Sequence, residues 1–135
     1  MNWTRVILGG VAAGVVTNVA DFVMHGMIMG PTYMRYPEVF SQTQANPAYF
    51  AAISVVIGIF TAILFGKSRG SWAPGLKGGA AFGFFLGLAF FFAGFYNPLV
   101  IEGFPYYLAW CWGGMNLIDA VIAGAVLGAI IPRES

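Results

Sequence analysis

The sequence predicts an all-α integral membrane protein, a single domain over 1–135 built as an up-down bundle of four transmembrane helices. Two observations carry this. The chain is 59% apolar and 17% aromatic, with only 8% charged residues, whereas a soluble domain averages about 25% charged. The apolar residues also fall into four long blocks, at about 6–29, 47–66, 78–96 and 106–131. At about 1.5 Å of rise per residue, even the shortest approaches the roughly 30 Å hydrocarbon core of a bilayer.

Each block reads as a span in its own right. The first is too long for the apolar core of a signal peptide, about 7–15 residues, and Asp21 interrupts it, so it is expected to be retained. The segment 30–46 (GPTYMRYPEVFSQTQAN) forms the long outer loop, and its prolines and aromatics predict an interfacial turn or a short surface helix. The shorter link 97–105 (NPLVIEGFP) is apolar apart from Glu102 and is expected to dip into the interface. Orientation follows from the basic residues. With four helices running up and down, Arg5, Lys67, Arg69, Lys77 and Arg133 share one side and Arg35 alone lies on the other. The excess of Lys and Arg makes that side cytoplasmic, with both termini on it. Tyr33, Tyr36, Tyr49, Tyr96, Tyr106 and Tyr107 gather at the opposite interface, where an aromatic belt belongs.

The halves read as a tandem repeat of one helical hairpin. Gly9-Gly10-Val11-Ala12-Ala13-Gly14 is echoed by Gly78-Gly79-Ala80-Ala81-Phe82-Gly83, Pro31 by Pro98, and Pro47-Ala48-Tyr49-Phe50-Ala51 by Pro105-Tyr106-Tyr107-Leu108-Ala109. A two-helix repeat keeps its orientation, so an axis along the membrane normal would relate the halves. Small residues recur four apart on every helix: Gly10 and Gly14; Gly58, Ala62 and Gly66; Gly79, Gly83 and Gly87; Gly124 and Gly128. Such spacing stacks them on one face and lets helix backbones approach closely. Their first use is packing inside the bundle; a surplus glycine face on the third helix is the alternative, open to another subunit. Phe84, Phe85, Phe90, Phe91, Phe92 and Phe95 around that helix read as a lipid-facing wall.

Several function classes find no support. There is no nucleotide fingerprint and no basic tail, so nucleic acid is not an expected partner. Cys111 is the single cysteine and has no intrachain partner. Ser54, Thr61 and Cys111 have no base at a recognisable spacing, so no catalytic residue is assigned and an enzyme is not expected. No histidine–cysteine cluster offers a metal site.

The chemistry concentrates in two intramembrane runs, Asn18-Val19-Ala20-Asp21 and Asn116-Leu117-Ile118-Asp119. A charged side chain at the bilayer centre costs roughly 2.5–3.5 kcal/mol on insertion scales, so it has a partner or a purpose. Asn18 and Asp119 lie near the midpoints of the first and fourth blocks. If those antiparallel helices are neighbours, Asn18 is level with Asp119 and Asp21 with Asn116. Each asparagine is then expected to hydrogen-bond the carboxyl group opposite. Burial disfavours the charged form of such an acid, and no intramembrane Arg or Lys is present to hold it ionised. His25, the only histidine, follows Asp21 by four residues on the same face. A bond to Asp21 or water is its first expectation, and axial ligation of a haem or chlorin the second.

The start Met1-Asn2-Trp3, the run GGVAAGVVTNVADFVMHG over 9–26 and the four-helix plan resemble uncharacterised small four-helix bacterial inner-membrane proteins. The resemblance implies a bacterial cytoplasmic membrane and four helices, and carries no chemistry with it. Three functions stay open. The first expectation is a non-enzymatic accessory or structural subunit that packs among lipids against a larger membrane complex, or as a homo-oligomer. The second is a small proton- or cation-handling carrier or channel using Asp21 and Asp119. The third is a pigment-, quinone- or lipid-binding subunit.

Overall fold

A computed structural model describes residues 1–41 and 46–133, and among these every regular element is helical. Helix α1 spans Trp3–Asp21 and opens on Asn2, whose side chain accepts from the Arg5 amide at 3.1 Å. From Phe22 to Ile28 the same helix widens into a π-helix, closed by a Met29 N–H to Met24 carbonyl bond of 2.9 Å. A short helix α2, Gly30–Tyr33, and a series of turns follow, so the expected surface helix of the outer loop occupies only its first residues. The polar end of that loop, 42–45, lies outside the described residues.

Helix α3, Pro47–Lys67, begins at Asn46, which caps the Ala48 amide at 3.0 Å, with Pro47 in the first turn where no N–H is needed. A 3-10 turn at Arg69–Ser71 leads to α4, Gly75–Phe91, which starts earlier than the sequence predicts. Gly75 has φ +74°, a conformation that a side chain would strain. After a 3-10 stretch at Phe92–Tyr96 come α5, Asn97–Val100, and the long helix α6, Tyr106–Ile130. Four helical stretches, Trp3–Ile28, Pro47–Lys67, Gly75–Val100 and Tyr106–Ile130, are long and apolar enough to cross a membrane.

The spans pack in the order α3–α1–α6–α4, each antiparallel to its neighbour. Two glycine seams hold the pairs. Along α1 and α3, Gly10 meets the backbone of Ile59, Gly14 that of Ser54 and Val55, and Gly58 that of Gly10 and Gly14. Along α4 and α6, Gly79 meets Gly124 and Gly128, Gly83 meets Ala120, and Gly87 meets Leu117. The α4 glycines are therefore consumed inside the fold, and the surplus subunit-binding face weighed for that helix is absent. Gly66 faces Met1 and Val6 at the end that holds both chain termini. Of the phenylalanines around α4, Phe84, Phe85, Phe90 and Phe92 are exposed as a lipid wall requires, while Phe91 and Phe95 turn inward against Trp110.

The central joint, α1 against α6, is looser at its glycine: Gly9 lies beside the side chains of Leu127, Ile130 and Ile131. The apolar core, Val6, Ala13, Ala62, Phe65, Phe82, Ala123, Leu127 and Ile131, fills the half nearer the termini. There the outer helices α3 and α4 touch through Phe65 and Phe82, with ring centroids 5.0 Å apart. Farther along they diverge and leave a shallow apolar groove between Phe60 and Phe90.

If backbone contact at the seams holds the bundle, Gly124→Ala drives a methyl group into the backbones of Gly79 and Gly83. It should destabilise the protein by about 1–3 kcal/mol in reversible unfolding from mixed micelles. Gly114→Ala, which points into open space, should leave that value unchanged.

Candidate functional site at the α1–α6 joint

The two aspartates meet each other rather than the asparagines. Asp119, on α6, is close enough to Asp21, the last residue of α1 before the π-helix, for the two carboxyl groups to interact. Asn18 turns instead toward α3, where its Oδ1 accepts from the Ser54 hydroxyl at 3.4 Å. Asn116 is exposed on the outer surface of α6. The expected reciprocal amide–carboxyl clamp is thus corrected. The α1–α6 crossing turns both carboxyl groups toward the joint, while Asn18 faces α3 and Asn116 faces outward. The result is less satisfied than the clamp. Asp119 Oδ1 is buried and has no hydrogen-bond donor among the described residues. Two facing carboxyl groups can bond directly only if they share a proton, since an ionised carboxylate is acceptor-only.

From Asp21 a polar line continues toward the end opposite the termini. His25 Nε2 lies 3.9 Å from Asp21 Oδ1, beyond direct hydrogen-bond length, so a small side-chain swing is needed to close that link. His25 Nδ1 is 2.5 Å from the Tyr33 hydroxyl, and the Trp112 indole N–H donates to the same hydroxyl at 2.7 Å. Indole nitrogen only donates, so the Tyr33 oxygen accepts there, and in the Nε2–H tautomer of the neutral imidazole the phenol gives its own proton to Nδ1. That leaves the Nε2 proton facing Asp21. Burial lifts the Tyr33 phenol above its ordinary pKa while the Trp112 bond pulls the other way. Phe40 packs tilted against Tyr33 at 4.7 Å, and Phe104 edge-to-face with Trp112 at 5.3 Å, holding both rings.

Local structure explains the assembly. The π-helix adds room at the turn that carries His25, and such widened turns frequently sit at functional sites. The chain then reverses through α2 and brings Tyr33 back over the histidine, with the rings nearly parallel and 6.0 Å apart. Asp21 and His25 keep 42% and 35% of their side-chain surface open on the flank of the bundle. Both His25 ring nitrogens already face partners, which counts against axial ligation of a haem or chlorin. Among the described residues no group of three or more metal-ligating side chains comes together.

Sequence reasoning found Asp21, Asp119 and His25 but missed Tyr33 and Trp112. Trp112 carries a readable signal: it precedes Asp119 by seven residues, two helical turns on the same side of α6. Tyr33 carries none, because only the tertiary reversal at α2 returns it to the histidine.

Comparison with known proteins finds no family model, no curated relative and no solved structure that matches the chain. The helices thus define a class, a helical protein with four helices long and apolar enough to cross a membrane.

Tyr33→Phe leaves the Trp112 N–H and the His25 ring without their shared partner. It should lower stability by about 1–3 kcal/mol. Tyr36→Phe, which removes only an exposed phenol–phenol contact of 3.1 Å, should change it much less in the same thermal-unfolding assay.

Proposed function

We propose that the chain is a non-enzymatic integral membrane protein that takes up protons at the Asp21–Asp119 pair. The observation that carries the reading is the buried, donorless Asp119 Oδ1 beside a second carboxyl group. A proton shared between the two acids supplies the missing donor, and losing it leaves two like charges facing each other in a medium of low dielectric. Intramembrane acids and histidines in line are a recurrent arrangement in proton relays. Here the line runs through His25 and Tyr33 toward the end opposite the termini. On the basic-residue count that end is periplasmic, with both termini and the 67–77 loop cytoplasmic, and the first-helix resemblance favours a bacterial cytoplasmic membrane.

The other half of the bundle is filled by the apolar core and the glycine seams. A proton reaching the acid pair therefore crosses to the terminal side only if helices shift, which favours a carrier over an open pore. The matching seams lend support to a duplicated hairpin, since Gly10 and Gly14 pair with Gly58 as Gly79 and Gly83 pair with Gly124. Against an even repeat, Gly58 lies 11 residues after Pro47 whereas Gly124 lies 19 after Pro105.

Asn116 favours a second reading, a subunit of a larger membrane assembly or of a homo-oligomer. Its amide is exposed at span depth, where lipid offers no hydrogen bond, so a neighbouring helix would satisfy it. In native mass spectrometry from mild detergent, Asn116→Leu should then release a partner that the wild type retains.

The first reading is tested in proteoliposomes carrying an internal pH dye. The wild-type protein should collapse an imposed pH gradient faster than empty vesicles do. The double variant Asp21→Asn, Asp119→Asn keeps the hydrogen-bonding capacity but cannot titrate, and should fall to the empty-vesicle rate. Equal flux through the wild type and the double variant would end the proposal.

A further inference from the structure

A second polar site lies at the end of the bundle that holds the termini, distant from the acid pair. It is built around Arg69, which is only 6% exposed although it sits in the turn between α3 and α4. Its Nε donates to the Ile131 carbonyl at 2.9 Å, and Nη1 donates to the carbonyls of Trp72 and Ala73 at 3.1 Å each. Its guanidinium carbon lies 5.0 Å from the centre of the Phe65 ring. These partners hold the plane of the guanidinium and tie the end of α6 to the α3–α4 turn. None of them carries a full negative charge. Among the described residues no carboxylate pairs with Arg69, and Nη2 has no acceptor.

The second cation makes this unusual. Arg133 lines the same recess as Arg69, a concavity of about 170 Å³ floored by Gly66 and Gly70. Burial, and then the charge of Arg133, pull the Arg69 guanidinium below its ordinary pKa. Two like charges share a partly desolvated hollow, and a Cβ at Gly70 would meet nothing, so the hollow is open beside them. With Nε and Nη1 engaged, the two N–H groups of Nη2 remain to meet an anion, and arginine stays charged there.

We propose that the recess between Arg69 and Arg133 binds a phosphate oxyanion, held by the free edge of Arg69 and by the Arg133 side chain. The location narrows the source. The recess lies where α3 and α6 end, at the level where the apolar spans give way to basic residues, which is the depth of a phospholipid headgroup. A headgroup phosphate reaches it from the bilayer and a soluble phosphate from the adjoining aqueous side, and the chemistry of capture is the same.

The test uses the whole protein in nanodiscs of phosphatidylcholine. Binding of added phosphatidylglycerol, and separately of inorganic phosphate, is read by native mass spectrometry and by the shift in thermal midpoint. Arg133→Gln lies beyond the last helix and leaves the Arg69 cap intact; Arg69→Lys keeps the charge but loses the fork; Lys77→Gln removes an exposed charge at the same end outside the recess. Phosphatidylglycerol should bind the wild type and Lys77→Gln alike, and both arginine variants about tenfold more weakly. Saturable binding of inorganic phosphate with the same variant dependence supports the site and identifies its ligand as soluble. Equal weakening by Lys77→Gln and Arg133→Gln would reduce the effect to general surface charge, and an unshifted midpoint with either phosphate source would overturn the proposal.

Discussion

Backbone-to-backbone contact at glycines is the constraint on which the rest of this structure depends. In a bilayer the lipid chains are as apolar as leucine, so burying hydrophobic surface gives helices no reason to associate. What remains is close packing, and close packing needs residues without side chains at the crossing points. Gly10, Gly14 and Gly58 provide it for one hairpin, and Gly79, Gly83, Gly124 and Gly128 for the other. Each pair is locked so tightly that a single methyl group has no space.

The two locked hairpins then meet along α1 and α6 by side chains rather than by backbone. This joint is tight near the termini, where Leu127, Ile131 and Val6 are buried, and grows polar farther along. The only polar side-chain atom enclosed without a donor among the described residues lies there, Asp119 Oδ1. The acid pair thus lies where the two glycine-packed hairpins meet. The widened helical turn through His25 lies at the same joint, beyond the core cluster nearer the termini.

Arg69 performs for the loops what the glycines do for the spans. Three carbonyls from two separate segments converge on one guanidinium, so the α3–α4 turn and the end of α6 are fixed to each other with no acidic partner among the described residues. A cation held by carbonyls keeps its charge uncancelled. That leftover charge, paired with Arg133, distinguishes this end of the molecule from an ordinary basic membrane margin.

Composition and the four apolar blocks by themselves determined the class of fold, because the length and low charge of a span are set by bilayer thickness and by the cost of burying ions. The recurrence of Gly10, Gly14, Gly79 and Gly83 likewise announced close helix contact, and the spacing of Asp21 and His25 announced a shared face. Depth counting set Asn18 level with Asp119 and Asp21 level with Asn116, about one turn from the pairing that forms. Helix rotation was beyond its reach, since turning a helix changes its neighbours without changing any depth. Tertiary packing alone therefore decided that carboxyl faces carboxyl, that Asn18 serves Ser54, and that Asn116 points outward. The same holds for Tyr33 and Arg69, whose partners are brought to them by chain reversals that no local pattern records.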